Sequence, residues 1–247
     1  MDRQPVILSV DTATPGGSVC LTDGDSLLST RVGDPAVSHS ISLLKDINEC
    51  LDQAGVSLKD VNLFATASGP GSFTGLRIGL ATVKALAATL RSPCLGIPTL
   101  HAVAHAAGSA TATVALLPAG RGEVFVQMLS VSGNGSVRAL DEPAHLSPHK
   151  TLEKYGALKG LKWAGPGAHA YRALLESYAS EKGIHFNDKG PPETELSKGW
   201  ALAAAQENLS QHVAALALQK YEGNELDDPV SLSAIYVRPS DAELKCR

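Results

Sequence analysis

A chain of 247 residues, 44% hydrophobic and 19% charged, can build one large or two modest packed domains and lacks the polarity of a disordered chain. Its net charge of −4 argues against a protein that grips a nucleic-acid backbone by itself, because such proteins gather lysine and arginine on one face. Aromatics are only 4%, so aliphatic side chains and alanines must fill the core.

The opening MDRQPVILSVDTAT sets acid and base ahead of a short apolar run, unlike the long apolar region of a signal peptide. No apolar run is expected to reach membrane-spanning length. Cys20, Cys50, Cys94 and Cys246 form no C-x-x-C pair and no zinc spacing, so reduced thiols in a cytoplasmic protein are expected.

In chain order, Val6 to Val10 reads as a buried strand that ends in the polar turn at Asp11-Thr12. Ser18 to Leu21 and Leu27 to Val32 complete a three-stranded meander. Ser38 caps a helix running to Ala54, with Ile41, Leu44, Ile47 and Leu51 as its apolar face and Gly55 as its stop. Val61 to Ala67 is a strand, Thr74 to Leu90 a helix, and Cys94 to Ile97 a strand. The order βββαβα then recurs. Thr113 to Leu117, Glu123 to Val131 and Ser136 to Leu140 read as strands, and Ser147-Pro148 starts a helix with serine at the N-cap and proline at N1. A strand at Leu161 to Ala164 and a helix over 168–179 follow. A loop over 183–195, a long Ala-rich helix over 197–220 and a short extended piece at Ala234 to Pro239 finish the chain. Lys150, Lys154, Lys159 and Lys162, with His149, read as solvated surface groups. Direct, tight RNA binding by this chain alone is therefore not expected.

The most informative stretch is GPGSFTGLRIG, residues 69–79, continuing as LATVKALAATL. Gly69 and Gly71 flank a proline in a sharp turn, and Ser72 or Thr74 can cap the helix behind it. Free N–H groups at that helix start favour anions. The motif lacks the Gly-Lys-Ser/Thr ending of a P-loop, and its glycines miss the G-x-G-x-x-G spacing by one. The helix is apolar nearly all round: Leu76, Ile78, Leu80, Ala81, Val83, Ala85, Leu86 and Leu90 span every face. One flank can pack on its own sheet, which leaves the other in need of a neighbour. Gly75 and Gly79 would bare the backbone for close helix approach.

GPGSFTGLRIG resembles the signature of the TsaB (YeaZ) family, the glycoprotease-like branch of the actin/sugar-kinase superfamily. ILSVDTAT, His39-Ser40 with Leu43-Leu44, Arg121-Gly-Glu-Val-Phe125 and Ile235-Tyr-Val-Arg-Pro239 resemble further family elements at the right distances. Pro118-Ala-Gly120 and Gly165-Pro-Gly167 depart from the family pattern. The resemblance implies an α/β fold of two actin-like, ribonuclease-H-like domains, each a mixed sheet flanked by helices. It puts the first domain at 1–102 and the second at 103–247, with the final segment packing back on the first. It implies a non-catalytic scaffold in the biosynthesis of threonylcarbamoyladenosine in tRNA, next to the anticodon. Its partners would be a TsaD-like transferase subunit and a TsaE-like ATPase, with a homodimer in their absence and only weak or indirect tRNA contact. No cofactor is expected to bind tightly, with ATP or ADP restricted to the partner interface. The docking surface falls on the two helices of the first domain: His39, Ser40, Leu43, Ile47, Gly71, Phe73, Thr74, Gly75, Leu76, Arg77, Gly79, Leu80 and Val83. Charge at Leu80 is then expected to break docking while sparing the monomer. Asp11 and Thr12 would mark a vestigial nucleotide site.

An enzyme acting on its own, dependent on metal or ATP, is the alternative. His101-Ala-Val-Ala-His105 places two imidazoles on one helix face. TsaD-like proteins hold a metal with such a pair, but counted from Gly96 their positions fall here on Thr99 and Val103. A displacement of two residues turns the pair by about 200° around a helix. The glutamate of H-E-x-x-H is missing. Asp11 stands where superfamily members position the metal of a nucleotide, yet Ala13 takes the place of a glycine common in ATP-using relatives.

Overall fold

The computed structural model describes residues 4–187 and 199–237. The chain divides into two compact units. The first takes Met1–Ala102 and Glu207–Tyr236, and the second takes the intervening Val103–Gln206.

In the first unit, β1 (Val6–Asp11), β2 (Ser18–Asp23) and β3 (Ser26–Val32) form the antiparallel meander, and β4 (Leu63–Gly69) and β5 (Cys94–Pro98) extend it in parallel. The sheet order is β3-β2-β1-β4-β5. Every residue of β1 is buried, so that strand is covered on both faces. α1 (His39–Ala54) and α2 (Phe73–Leu90) pack on one face. Gly55 ends α1 in the left-handed conformation at φ 65°.

The other face is closed by α7 (Leu209–Glu222), which lies against β1, β2, β4 and β5. Its start is stapled by polar groups. Ser9 Oγ donates to the Ser210 carbonyl at 2.8 Å, Ser210 N donates to Ser18 Oγ at 2.9 Å, and Asn208 Nδ2 donates to Thr30 Oγ1 at 2.7 Å. This corrects the sequence reading in two ways. Of the expected helix over 197–220, residues 197 and 198 lie outside the described residues, and the rest is a short strand, β12 (Trp200–Leu202), a loop, and then α7. The helix also completes the first unit, not the second.

The second unit repeats the scheme. β6 (Ala110–Gly120), β7 (Glu123–Val131) and β8 (Val137–Ala139) run antiparallel, and β10 (Leu161–Ala164), β12 and β11 (Phe186–Asn187) add in parallel beside β6. β9 (Ala144–Leu146) pairs with β7. β9 and β11 are each at most three residues long, too short to show a pattern in sequence, and gain their pairing from β7 and β12. α3 (Thr99–Ala106) carries the chain from the first unit into the second. α4 (Pro148–Tyr155) begins as expected, with Ser147 Oγ accepting from Lys150 N. The expected helix over 168–179 divides into α5 (Pro166–Ala170) and α6 (Arg172–Glu181). Trp163 and Trp200, 5.0 Å apart edge to face, anchor this core, and Tyr178 stacks on Trp200.

Candidate functional site

The glycine motif and the turn after β1 are one construction. Asp11 is buried, and both its carboxylate oxygens serve its own turn: Oδ1 accepts from Ala13 N at 2.8 Å and Oδ2 from the Thr14 hydroxyl. Burial pushes the Asp11 carboxyl above its ordinary range, against the pull of these hydrogen bonds and of His39. Thr12 Oγ1 donates to the Gly75 carbonyl at 2.8 Å, and Ser72 N donates to the Ala13 carbonyl at 2.9 Å. A Cβ on Gly75 would fall on the Thr12 carbonyl oxygen, and one on Gly79 would fall on the Thr12 hydroxyl. The missing side chains are thus what lets the first turns of α2 lie directly on residues 12–13. Ser72 rather than Thr74 caps the helix, accepting from Gly75 N at 3.2 Å. His39 Nε2 sits 3.2 Å from the Thr14 carbonyl and joins the start of α1 to the same turn. Asp11, Thr12, His39, Gly71, Gly75 and Gly79 are therefore brought together as a packing joint.

The two helices sort the remaining candidates by face. Leu43 and Ile47 on α1, and Gly75, Leu76, Gly79, Leu80 and Val83 on α2, are buried within their own unit. They are corrected from docking residues to core, because they point at the sheet. Ser40, Phe73, Thr74 and Arg77 are exposed, and His39 and Gly71 are half-buried. The outward stripe of α2 continues through Ala81, Ala85 and Ala88, with Ile78 and Leu86 half-buried beside it. On α1, Ile41 is 75% and Leu44 61% exposed, so the expected single apolar face of Ile41, Leu44, Ile47 and Leu51 is divided between outside and inside. The inner face is made by Leu43, Ile47, Cys50 and Leu51. α1 and α2 touch, so these outward residues belong to adjoining helices. By length and composition alone α2 would also pass as a membrane span, contrary to the expectation that no segment does. A core helix of the same make-up passes the same test, and the Leu76, Val83 and Ala87 flank of α2 is buried in its own unit.

The chemistry-bearing residues elsewhere are quiet. Burial, with Lys220 adding to it, lowers the pKa of His101, and burial alone lowers that of His105, so both favour the neutral imidazole. Among the described residues no three His, Cys, Asp or Glu side chains assemble as a metal cage. Burial pushes the Cys20 thiol up to about 12 and the Cys94 thiol up to about 11, which disfavours thiolate chemistry. Of the lysines at 150–162, Lys154 pairs with Asp141 at 2.7 Å, and Lys162 donates to the carbonyls of Ala107 and Ser109.

What sequence reasoning missed is which residues meet where the final segment packs on the first unit. Ile235 N donates to the Ser68 carbonyl at 2.7 Å, and this places Tyr236 against Phe73, ring centroids 5.3 Å apart. No local pattern announces a contact across this separation in sequence. Arg238 and Pro239, part of the expected extended piece, lie outside the described residues.

A family model described as TsaD, tRNA N6-adenosine threonylcarbamoyltransferase, matches residues 35–226. The tRNA threonylcarbamoyladenosine biosynthesis protein TsaB of Escherichia coli (strain K12) is 33% identical over 187 residues, covering 74% of this chain and 78% of that protein. The chain belongs to the TsaB (YeaZ) family. YeaZ from Pseudomonas aeruginosa has the same fold as this TsaB-family chain, with a TM-score of 0.73 at 25% identity over 94% of this chain and 100% of that one. TsaB-family sequence also reaches toward the transferase itself. The tRNA N6-adenosine threonylcarbamoyltransferase of Aeropyrum pernix is 30% identical over 151 residues, 58% of this chain but 42% of that enzyme.

Proposed function

We propose that this chain serves the biosynthesis of threonylcarbamoyladenosine in tRNA as a non-catalytic subunit that binds a TsaD-like transferase subunit. The single observation behind this is the outward face of α1 and α2, where Ile41, Leu44, Phe73, Ala81 and Ala85 face solvent on a helix pair. Small residues on α2 permit close approach of another helix, and Ile41 and Leu44 offer apolar area to bury. Two helices of this length can supply an interface of roughly 1,200–2,000 Å² in total. In the absence of the transferase, a second copy of the chain takes the same face, and a TsaE-like ATPase joins the assembled pair. Any ATP or ADP is held at the partner interface, and tRNA contact is weak or indirect. The work takes place in the cytosol.

A catalytic role for this chain is disfavoured by the state of its best candidates. Asp11 is buried with both oxygens engaged, and among the described residues no third His, Cys, Asp or Glu joins His101 and His105 as a metal cage. The test is reconstitution with the organism's own TsaD-like subunit, followed by light scattering and assay of threonylcarbamoyl transfer. Ala85→Glu should abolish the complex and the transfer that depends on it, with the chain still folded. His101→Ala and His105→Ala should leave transfer intact. Transfer by this chain alone, or its loss together with metal in the histidine variants, would establish the enzyme alternative instead.

A further inference from the structure

After α7 the chain runs as a strap along the β5 edge of the first sheet and across the flank of α2. Asp227 N donates to the Cys94 carbonyl at 3.1 Å, and its carboxylate accepts from Gly96 N at 3.0 Å, so one residue closes part of the free strand edge. Leu232 is buried over Gly96, where a Cβ would meet its Cδ1 at 2.7 Å. Lys84 Nζ donates to the carbonyls of Leu232 at 2.9 Å and Val230 at 3.3 Å. These anchors, with the Ile235–Ser68 bond, deliver Tyr236 to the first turns of α2.

There it completes a cluster. The Arg77 guanidinium lies over the Phe73 ring, its carbon 3.9 Å from the centroid, and Arg77 Nε sits 3.5 Å from the Tyr236 hydroxyl. Phe73 is 37% and Tyr236 48% exposed, and Arg77 is exposed as well. Arg77 pairs with no carboxylate among the described residues. A guanidinium stacked on a ring keeps its in-plane N–H donors available and has already lost much of its rotamer freedom, which is the state that binds a carboxylate in a forked pair. Aromatic and arginine side chains held rigidly beside an apolar stripe are also the make-up of an interface hot spot.

We infer that Phe73, Arg77 and Tyr236 form a preorganised socket for a carboxylate side chain on the TsaD-like subunit, at one end of the α1/α2 docking face. This rests on the docking reading above and adds to it the strap as a structural part of the interface and a negative charge on the partner. A protein carboxylate fits better than an RNA phosphate. Among the described residues the site is one cation, Arg77, flanked by Ile78 and Ala81 in an acidic chain, whereas a phosphate backbone is tracked by many cations.

The experiment titrates the full-length chain against its own TsaD-like subunit by calorimetry at low and high salt. It compares the parent with Arg77→Met, Tyr236→Ala and Ala85→Glu, each checked for folding by thermal melting. Arg77→Met should weaken binding about tenfold or more and reduce its salt dependence, as loss of a charged hot spot does. Tyr236→Ala, which keeps the charge but removes one wall, should weaken binding by a smaller factor. If Arg77→Met and Tyr236→Ala bind like the parent while Ala85→Glu does not bind, the socket is refuted and the docking face stands. If Ala85→Glu binds like the parent, the docking face fails and the socket with it. A loss in Arg77→Met of affinity for tRNA rather than for the subunit would also overturn the inference.

Discussion

Gly75 and Thr12 set a tight backbone constraint in the first unit, and it is a constraint on atoms. The Thr12 carbonyl oxygen occupies the space a Cβ on Gly75 would need, and a backbone oxygen cannot rotate away. Helix propensity alone would favour alanine by about 1 kcal/mol. Gly75→Ala should nevertheless lower stability by about 1–3 kcal/mol, the usual range for overpacking. Gly133, in a turn with open space around it, is the control, and Gly133→Ala should change stability by no more than about 0.5 kcal/mol. Urea unfolding of both variants checks this; equal midpoints would remove the joint. The glycines themselves were legible in the sequence as sites of close approach. The surface they approach was not, because Thr12 lies 63 residues away in the chain.

Asp11 carries a pH prediction from the same turn. Its folded pKa is raised above the ordinary 3.8, with desolvation as the leading cause. The native state therefore holds this proton more firmly than the unfolded chain does. The stability it contributes is fully present below the unfolded pKa and is lost as pH rises through the folded value. Asn keeps an acceptor for Ala13 N and cannot titrate. Asp11→Asn should therefore show a smaller fall in stability, measured by denaturant titration, as pH rises from about 4 to neutrality. An unchanged pH profile would mean that Asp11 is not desolvated as its burial implies.

At the scale of the element, α2 shows why periodicity alone did not locate the docking face. A helix apolar on all sides has no polar stripe to mark the outside, so Leu80 and Ala85 look equivalent in sequence. In the fold they are opposites. Leu80 is 6% exposed and packs within its unit, while Ala85 is exposed. A charge at Leu80 thus has to be buried or expel the helix, and Leu80→Glu should destabilise the monomer itself by several kcal/mol. This replaces the sequence expectation that Leu80→Glu would spare the fold. Circular dichroism melts of Leu80→Glu and Ala85→Glu should differ sharply, with only the second melting like the parent. On α1 the ambiguity was of a different kind. Ile41, Leu44, Ile47 and Leu51 fit a helical face, but so do Leu43, Ile47, Cys50 and Leu51, and only the second set meets the sheet.

For the whole molecule, the return of α7 to the first unit decides what can fold alone. The doubled βββαβα order was readable from strand patterns and turns; the first unit keeps it, and the second inserts β9 before α4 and divides the last helix into α5 and α6. The crossing-back was not readable, since an Ala-rich helix says nothing about which sheet it covers. Polar groups fix the answer: Ser9, Ser18 and Thr30 on three strands meet Ser210 and Asn208 at the start of α7. A fragment ending at Ala102 would leave that sheet face bare, with Ser9 and Ser18 losing their partners and Ile7 and Cys20, which share the Ser9 face by alternation and pairing, opened to water. Such a fragment should lack a cooperative thermal transition and bind a hydrophobic dye. Joining 4–102 to 207–237 through a flexible linker should restore cooperativity, because it returns α7 and the strap that closes β5. Cooperative unfolding of the short fragment would show that α7 is an ornament on a finished sheet rather than its second cover.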